Sequence, residues 1–264
     1  MKYGFIGTGN MANAIIGGMI GQGLAKESSI WGFDNAAISL MNIKNQYDIN
    51  LTVNNRQVVA KADMIFLAVK PHFYSQVIQE IKDSITDQKI LISLAPGKTL
   101  EWFDQQFGKP VKIVRTMPNT PAQVGAGMTG VCANEEITWE ELEAVLAVFR
   151  SFGKVEVVAE HLLDAVVTVS GSSPAYIFML IEAMADAAVA EGMPRALAYE
   201  FAAQAVYGSA KMVLETGKHP GELKDMVCSP GGSTIEAVRV LEEKGFRSAV
   251  MAAMKACGEK SRRM

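Results

Sequence analysis

Tyr3-Gly4-Phe5-Ile6-Gly7-Thr8-Gly9-Asn10-Met11-Ala12 opens the chain with a short apolar run that ends in two spaced glycines. Gly7 suits a tight turn, Gly9 lets backbone approach a pyrophosphate, and Ala12 stands where a third small residue allows a helix to pack closely on a strand. The string alone also fits ordinary turn punctuation. Its setting decides the reading: an apolar strand precedes it, a helical pattern from Asn10 to Gln22 ending at Gly23 follows it, and an acid, Asp34, closes the next apolar segment about 20 residues further on. The stretch reads as the phosphate-binding turn of a dinucleotide fold.

Working outward, short apolar runs alternate with helical patterns through residue 158, the signature of a parallel sheet with crossover helices. The expected strands are Lys2–Ile6, Ile30–Phe33, Leu51–Val53, Met64–Val69, Ile90–Leu94, Val111–Arg115, Thr129–Ala133 and Lys154–Val158. Met64–Val69 is apolar throughout and should be a central strand covered on both faces. After Val158 the strand-like runs stop. Helices are expected over Pro174–Glu191, from Pro194 to about Glu215, after Pro230-Gly231-Gly232, and at the end of the chain. The Pro174–Glu191 segment is apolar on most faces, and so short a domain offers little to cover it; a second copy of the chain is the expected cover. The fold class is therefore α/β: a Rossmann domain with a mostly parallel sheet over residues 1–158, then an all-helical dimerisation domain over 159–264.

The 264 residues carry 49 % hydrophobic and 20 % charged side chains, the balance of a soluble protein with a sizeable core. A net charge of −3 leaves no electrostatic footprint for nucleic acid or an anionic membrane. Tyr3 to Ala25 is uncharged and as long as a membrane span, but glycines, Thr8 and asparagines interrupt it, so it reads as strand, turn and helix. Three separated cysteines form no Cys-x-x-Cys, and the three histidines have no metal-ligand spacing. A cytoplasmic protein without a metal site is expected.

Asp34 suits the hydroxyls of an adenosine ribose and would repel a 2′-phosphate, which leans towards NADH; an ordinary helix N-cap is the plain alternative. Lys70, forced out of helical geometry by Pro71, either reaches a phosphate or stays in water. Asn119, within Arg115-Thr116-Met117-Pro118-Asn119-Thr120-Pro121, either bonds a ligand or caps a turn. Ser170-Gly171-Ser172-Ser173-Pro174-Ala175-Tyr176 and Cys228-Ser229-Pro230-Gly231-Gly232-Ser233-Thr234-Ile235 each place hydroxyls and glycine before an expected helix. Amides at a helix start form a site for a carboxylate, although both stretches also fit capping loops.

These residues together resemble the pyrroline-5-carboxylate reductases over nearly the whole chain. The resemblance rests on the Gly-x-Gly-Asn-Met turn, Ala68-Val69-Lys70-Pro71, Met117 to Pro121, the serine-rich stretch at 170–176, and His219-Pro220-Gly221-Glu222-Leu223-Lys224-Asp225 leading into Ser229–Ile235. It implies reduction of L-1-pyrroline-5-carboxylate to L-proline with NADPH or NADH, by dimers that assemble further into rings such as decamers. It places cofactor contacts on Ile6, Gly7, Thr8, Gly9, Asn10, Met11, Asp34, Asn55, Ala68, Val69, Lys70 and Pro71. Substrate contacts fall on Glu160, Ser229, Gly231, Gly232, Ser233 and Thr234, with Thr234 the catalytic candidate. Three positions depart from the family pattern: Pro96 replaces an alanine, Met226 an asparagine, and Asp34 a small polar residue. Among other folds of this layout, β-hydroxyacid dehydrogenases use a lysine in a Gly-x-x-Gly-x-Gly-x-x-x-Lys pattern, and no lysine occurs from Val155 to Met193. A non-catalytic nucleotide sensor would have no use for the paired hydroxyl-rich stretches.

Overall fold

The computed structural model describes residues 1–263. Eight strands form one sheet: β1 (Tyr3–Ile6), β2 (Ile30–Phe33), β3 (Asn50–Leu51), β4 (Met64–Leu67), β5 (Ile90–Ser93), β6 (Lys112–Met117), β7 (Gly127–Ala133) and β8 (Gly153–Val157). Their order is β3-β2-β1-β4-β5-β6-β7-β8. All eight expected strands are present, with ends shifted by a few residues. Only β6 and β7 run antiparallel, because the link between them is a short turn rather than a crossover helix.

Helices α1 (Asn10–Gly21), α2 (Ala37–Tyr47), α3 (Asn55–Lys61), α4 (Tyr74–Ile81), α5 (Leu100–Phe107) and α6 (Trp139–Arg150) accompany the sheet. Then come α7 (Leu163–Val166), a π-helical turn at Val167–Gly171, α8 (Ser173–Ala190), α9 (Arg195–Thr216), α10 (Pro220–Val227), α11 (Ser233–Glu243) and α12 (Phe246–Ser261). The sequence reading did not foresee α10. Pro220 occupies its first turn, where the missing N–H costs nothing, and the His219 ring accepts from the Gly221 amide.

The chain forms two compact units, one of Met1–Ser172 with the residues from Cys257 onward, the other Ser173–Ala256. In the first, strand alternation sorts side chains into two cores. Phe5 and Phe66 face α1 and α6, meeting Ile15, Ile16 and Phe149, while Ile6, Ile65 and Leu67 face α3, α4 and α5, meeting Val58, Ile78 and Phe103. Phe5 and Phe66 stack with ring centroids 4.6 Å apart. Each large side chain buried this way contributes about 1.5–3 kcal/mol of transfer free energy. All four residues of β4 are buried, as its unbroken apolar run requires.

In the second unit α8 packs on α9, yet much of the apolar surface stays open. Phe178 is 60 % exposed, Met179 69 %, Phe201 59 % and Leu214 65 %. The helix expected to be buried has only Ala185 buried within this chain.

The sheet's carboxyl edge is locked by Tyr74, whose hydroxyl donates to Leu67 O and accepts from Leu94 N at 3.1 Å, joining the ends of β4 and β5. Burial pushes this phenol up from 10.0 to about 12, against smaller opposing effects of its hydrogen bonds. The unfolded phenol ionises first, so the proton that the fold retains makes stability whole below pH 10 and declining as pH rises towards about 12. Tyr74→Phe should cost about 1–3 kcal/mol at neutral pH in urea unfolding. It should also flatten the alkaline decline; an unchanged pH profile would remove Tyr74 as its source.

Candidate functional site

The register of the sheet assembles the first site. Ile6, Phe33 and Leu67 are paired neighbours at the ends of β1, β2 and β4, so three loops leave the same edge side by side. Because β2 and β4 lie on opposite sides of β1, this is the point where the strand order reverses, and a crevice opens there. Gly7 makes the junction. Its N–H donates to Phe33 O at 2.8 Å, its φ is +95°, and a Cβ there would lie 2.7 Å from Ala68 O. Only glycine fits that approach.

A cleft of about 350 Å³ lies over this edge. Of the cofactor candidates, Gly7, Gly9, Asp34, Asn55, Ala68, Val69 and Lys70 line it. Ile6 and Thr8 are buried beneath it instead. Asn10 faces a separate hollow along α1 with Asn13 and Tyr47, Met11 packs against the core, and Pro71 starts the turn leading into α4. Lys70 is extended, at φ −64° and ψ 148°, as the proline after it demands.

Asp34 is not a helix N-cap. That position belongs to Ala36, and the Asp34 carboxylate accepts from Thr8 N at 2.8 Å and Ala36 N at 2.9 Å, tying the glycine turn to the end of β2. The sequence reading missed Phe33, Asn35 and Ala36 beside Asp34, and Phe73, Gln76, Val77 and Glu80. The last four were open to detection. Their spacing of three, one and three residues puts them on one face of a helix.

The cleft suits a dinucleotide. The N-cap of α1 is Gly9, which supplies no side-chain bond to the first-turn amides, and no acid occupies that turn. A Cβ on Gly9 would meet nothing within 4 Å, so this backbone borders open space. Bare amides at a helix start carry partial positive charge, the environment a pyrophosphate needs.

The second candidate site lies in the other compact unit, at the start of α11. Gly231 is left-handed at φ +70°, Gly232 N donates to Ser229 O at 3.0 Å, and Gly232 serves as an N-cap without a side-chain bond. Ser233 and Thr234 then occupy the first turn, Ser233 exposed and Thr234 half-buried. Glu236, the acid of that turn, is paired with Arg239 at 2.7 Å. This is a second helix start with amides open to an anion.

The serine-rich stretch at 170–176 corrects an expectation. A helix does follow, α8 from Ser173, but Ser170 and Gly171 already belong to the π-helical turn and Ser172 N donates to Val167 O, so that amide is not open to a carboxylate. Pro174 has no N–H to give the Ser170 carbonyl four residues earlier. Asn119 gives it instead: Nδ2 donates to Ser170 O at 3.0 Å and Oδ1 accepts from Met128 N at 2.9 Å. Asn119, 8 % exposed, is thus a brace between the β6–β7 turn and the π turn.

Glu160 does not share a compact unit with Ser229–Thr234. Its Oε1 accepts from Leu100 N at 2.7 Å and from the buried guanidinium of Arg115. Burial pushes the neighbouring Cys132 thiol up, Glu160 adds to that shift, and Arg115 opposes it.

Residues 160–264 match the family model described as pyrroline-5-carboxylate reductase dimerisation, and residues 2–97 match that described as NADP oxidoreductase coenzyme F420-dependent. The pyrroline-5-carboxylate reductase of Escherichia coli (strain K12) is 55 % identical over 263 residues, which cover 100 % of this chain and 98 % of that protein. A solved pyrroline-5-carboxylate reductase from Coxiella burnetii is 36 % identical with a TM-score of 0.90, covering 99 % of this chain and 97 % of that one. The pyrroline carboxylate reductase of Plasmodium falciparum, solved with NADP bound, is 31 % identical with a TM-score of 0.91, covering 100 % and 97 %. Likeness of sequence and fold from end to end leads to one conclusion: the chain belongs to the pyrroline-5-carboxylate reductase family.

Proposed function

We propose that this chain reduces the C=N bond of L-1-pyrroline-5-carboxylate to give L-proline, with NADH or NADPH as the reductant. The observation that carries the reading is a pair of helix starts capped by glycine with no side-chain bond, α1 at Gly9 and α11 at Gly232, in a chain of this family. One suits the pyrophosphate of a dinucleotide and the other the carboxylate of a small substrate. In this reading residues 1–158 hold the cofactor, and 159–264 hold the substrate and the second copy.

The bound dinucleotide supplies the hydride. The chain's own residues bind, orient and handle the proton. The Gly231, Gly232 and Ser233 backbone, with Ser229 shaping its turn, grips the substrate carboxylate. Reduction of an imine needs a proton as well as a hydride, and the Thr234 hydroxyl bonds the ring nitrogen and relays that proton from water. A hydroxyl alone is a weak acid near neutral pH, so holding the imine carbon in attack geometry contributes the larger share, several kcal/mol of the barrier. Glu160 takes part as a positioning group, since its Oε1 already holds Arg115 and the Leu100 amide.

The helical run Glu160–Ala190 is long and apolar enough by length and composition to cross a membrane. We assign its exposed faces to a second copy of the chain, as the dimerisation model spanning it supports. Further assembly of dimers into rings, to a decamer, and a cytoplasmic location belong to the same reading.

Thr234→Ala should lower kcat by roughly 10²-fold or more in an assay of NADH or NADPH oxidation, leaving the dinucleotide Kd nearly unchanged. Wild-type turnover would exclude Thr234 from the mechanism. Phe178→Asp and Phe201→Asp should convert dimers to monomers in sedimentation velocity, because a carboxylate would have to be buried unpaired in the interface. Unaltered sedimentation would place the interface elsewhere.

A further inference from the structure

The cleft over the sheet edge is asymmetric in charge. Its charged lining residues are Asp34, Glu80 and Lys70. Lys70 follows β4, whereas Asp34 follows β2, on the far side of β1. In folds of this kind the adenosine ribose lies by the acid at the end of the second strand. That acid cannot swing aside, because one Asp34 oxygen holds the Thr8 amide and the other the Ala36 amide.

Glu80 adds a second carboxylate to the same cleft and turns the neighbouring donors towards itself. Its Oε2 accepts from Asn55 Nδ2 at 2.7 Å and its Oε1 from Gln76 Nε2 at 3.2 Å. Its backbone carbonyl accepts from Arg56 Nε at 2.8 Å. Arg56 is the first arginine after Asp34 in the sequence, and it is not among the residues that line the cleft. A dinucleotide here meets two carboxylates, while the Asn55 amide is taken by the Glu80 side chain and Arg56 Nε by the Glu80 main chain.

We propose that this reductase selects NADH against NADPH through Asp34 and Glu80, with Glu80 a specificity-determining residue whose carboxylate takes the Asn55 amide in place of a 2′-phosphate. A free ribose 2′-hydroxyl is a donor and needs an acceptor, which a carboxylate provides. A 2′-phosphate brings close to two negative charges and only acceptor oxygens. It faces like charge in a cleft whose lining holds no arginine fork. The inference rests on the cleft being the dinucleotide site, and not on the identity of the imine.

Isothermal titration calorimetry of the full-length protein with NADH and NADPH tests it, with ADP and adenosine 2′,5′-bisphosphate as fragments that carry only the adenosine end. NADH should bind about tenfold tighter or more, as should ADP over the bisphosphate, and both ratios should shrink as salt is raised. Asp34→Asn and Glu80→Gln should each narrow the ratio, chiefly by tightening NADPH; Glu80→Gln keeps an acceptor for Asn55 and so preserves the local fold. Equal affinities in the wild type, a preference for NADPH, or variants that weaken both dinucleotides alike would overturn the proposal. Failure of both to bind would overturn it together with the cleft's assignment. Preferential NADH binding without imine reduction would leave it standing and sink only the substrate assignment.

Discussion

The backbone of Gly7 passes so close to the Ala68 carbonyl that a single added carbon would lie 2.7 Å from its oxygen. The rest of the cofactor edge depends on this approach. Gly7 N reaches Phe33 O, Ala68 N reaches Ile6 O, and Thr8 N reaches the Asp34 carboxylate, so the ends of β1, β2 and β4 are joined at one point. A side chain at residue 7 would part those strands and also meet an unfavourable positive φ. With the junction closed, α1 begins directly at the edge, with Gly9 as its N-cap on the lining of the cleft.

The chemistry follows from repeating one device. Each compact unit starts a helix after glycines that leave the first-turn amides without side-chain partners, at Gly9 and at Gly232. Some other helices are capped by side chains, with Asn54 accepting from Gln57 N, Thr99 from Trp102 N, and Thr138 in a reciprocal box with Glu141, while α2, α4, α7 and α9 also lack such a bond but start from residues other than glycine. The contrast matters physically, because an uncapped start keeps its partial charge for an external anion. Phe178 and Phe201 stay exposed within this chain, and they are the surface assigned above to a second copy.

Much of this was legible in the residues. Buried parallel strands such as β4 are apolar on both faces and stand out as unbroken runs, and glycine and proline mark most helix ends. Local patterns could not report long-range partners. Asn119 was left between ligand contact and turn cap, and the answer, a brace to Ser170, depends on a residue 51 positions away and on the N–H that Pro174 lacks. The π turn at Val167–Gly171 has no composition of its own, so it looked like a capping loop. Glu80 shares a helix face with Phe73, Gln76 and Val77, which its spacing made legible, but its pairing with Asn55, 25 positions away, was not.

A crystal structure of the protein with NAD⁺ and proline tests the central claim most directly. The account predicts the pyrophosphate on the amides at Gly9–Met11 and the amino-acid carboxylate on the Gly231–Ser233 backbone, its ring nitrogen within hydrogen-bond reach of Thr234 Oγ1. Proline bound away from the start of α11, or a dinucleotide whose phosphates avoid the start of α1, would contradict it.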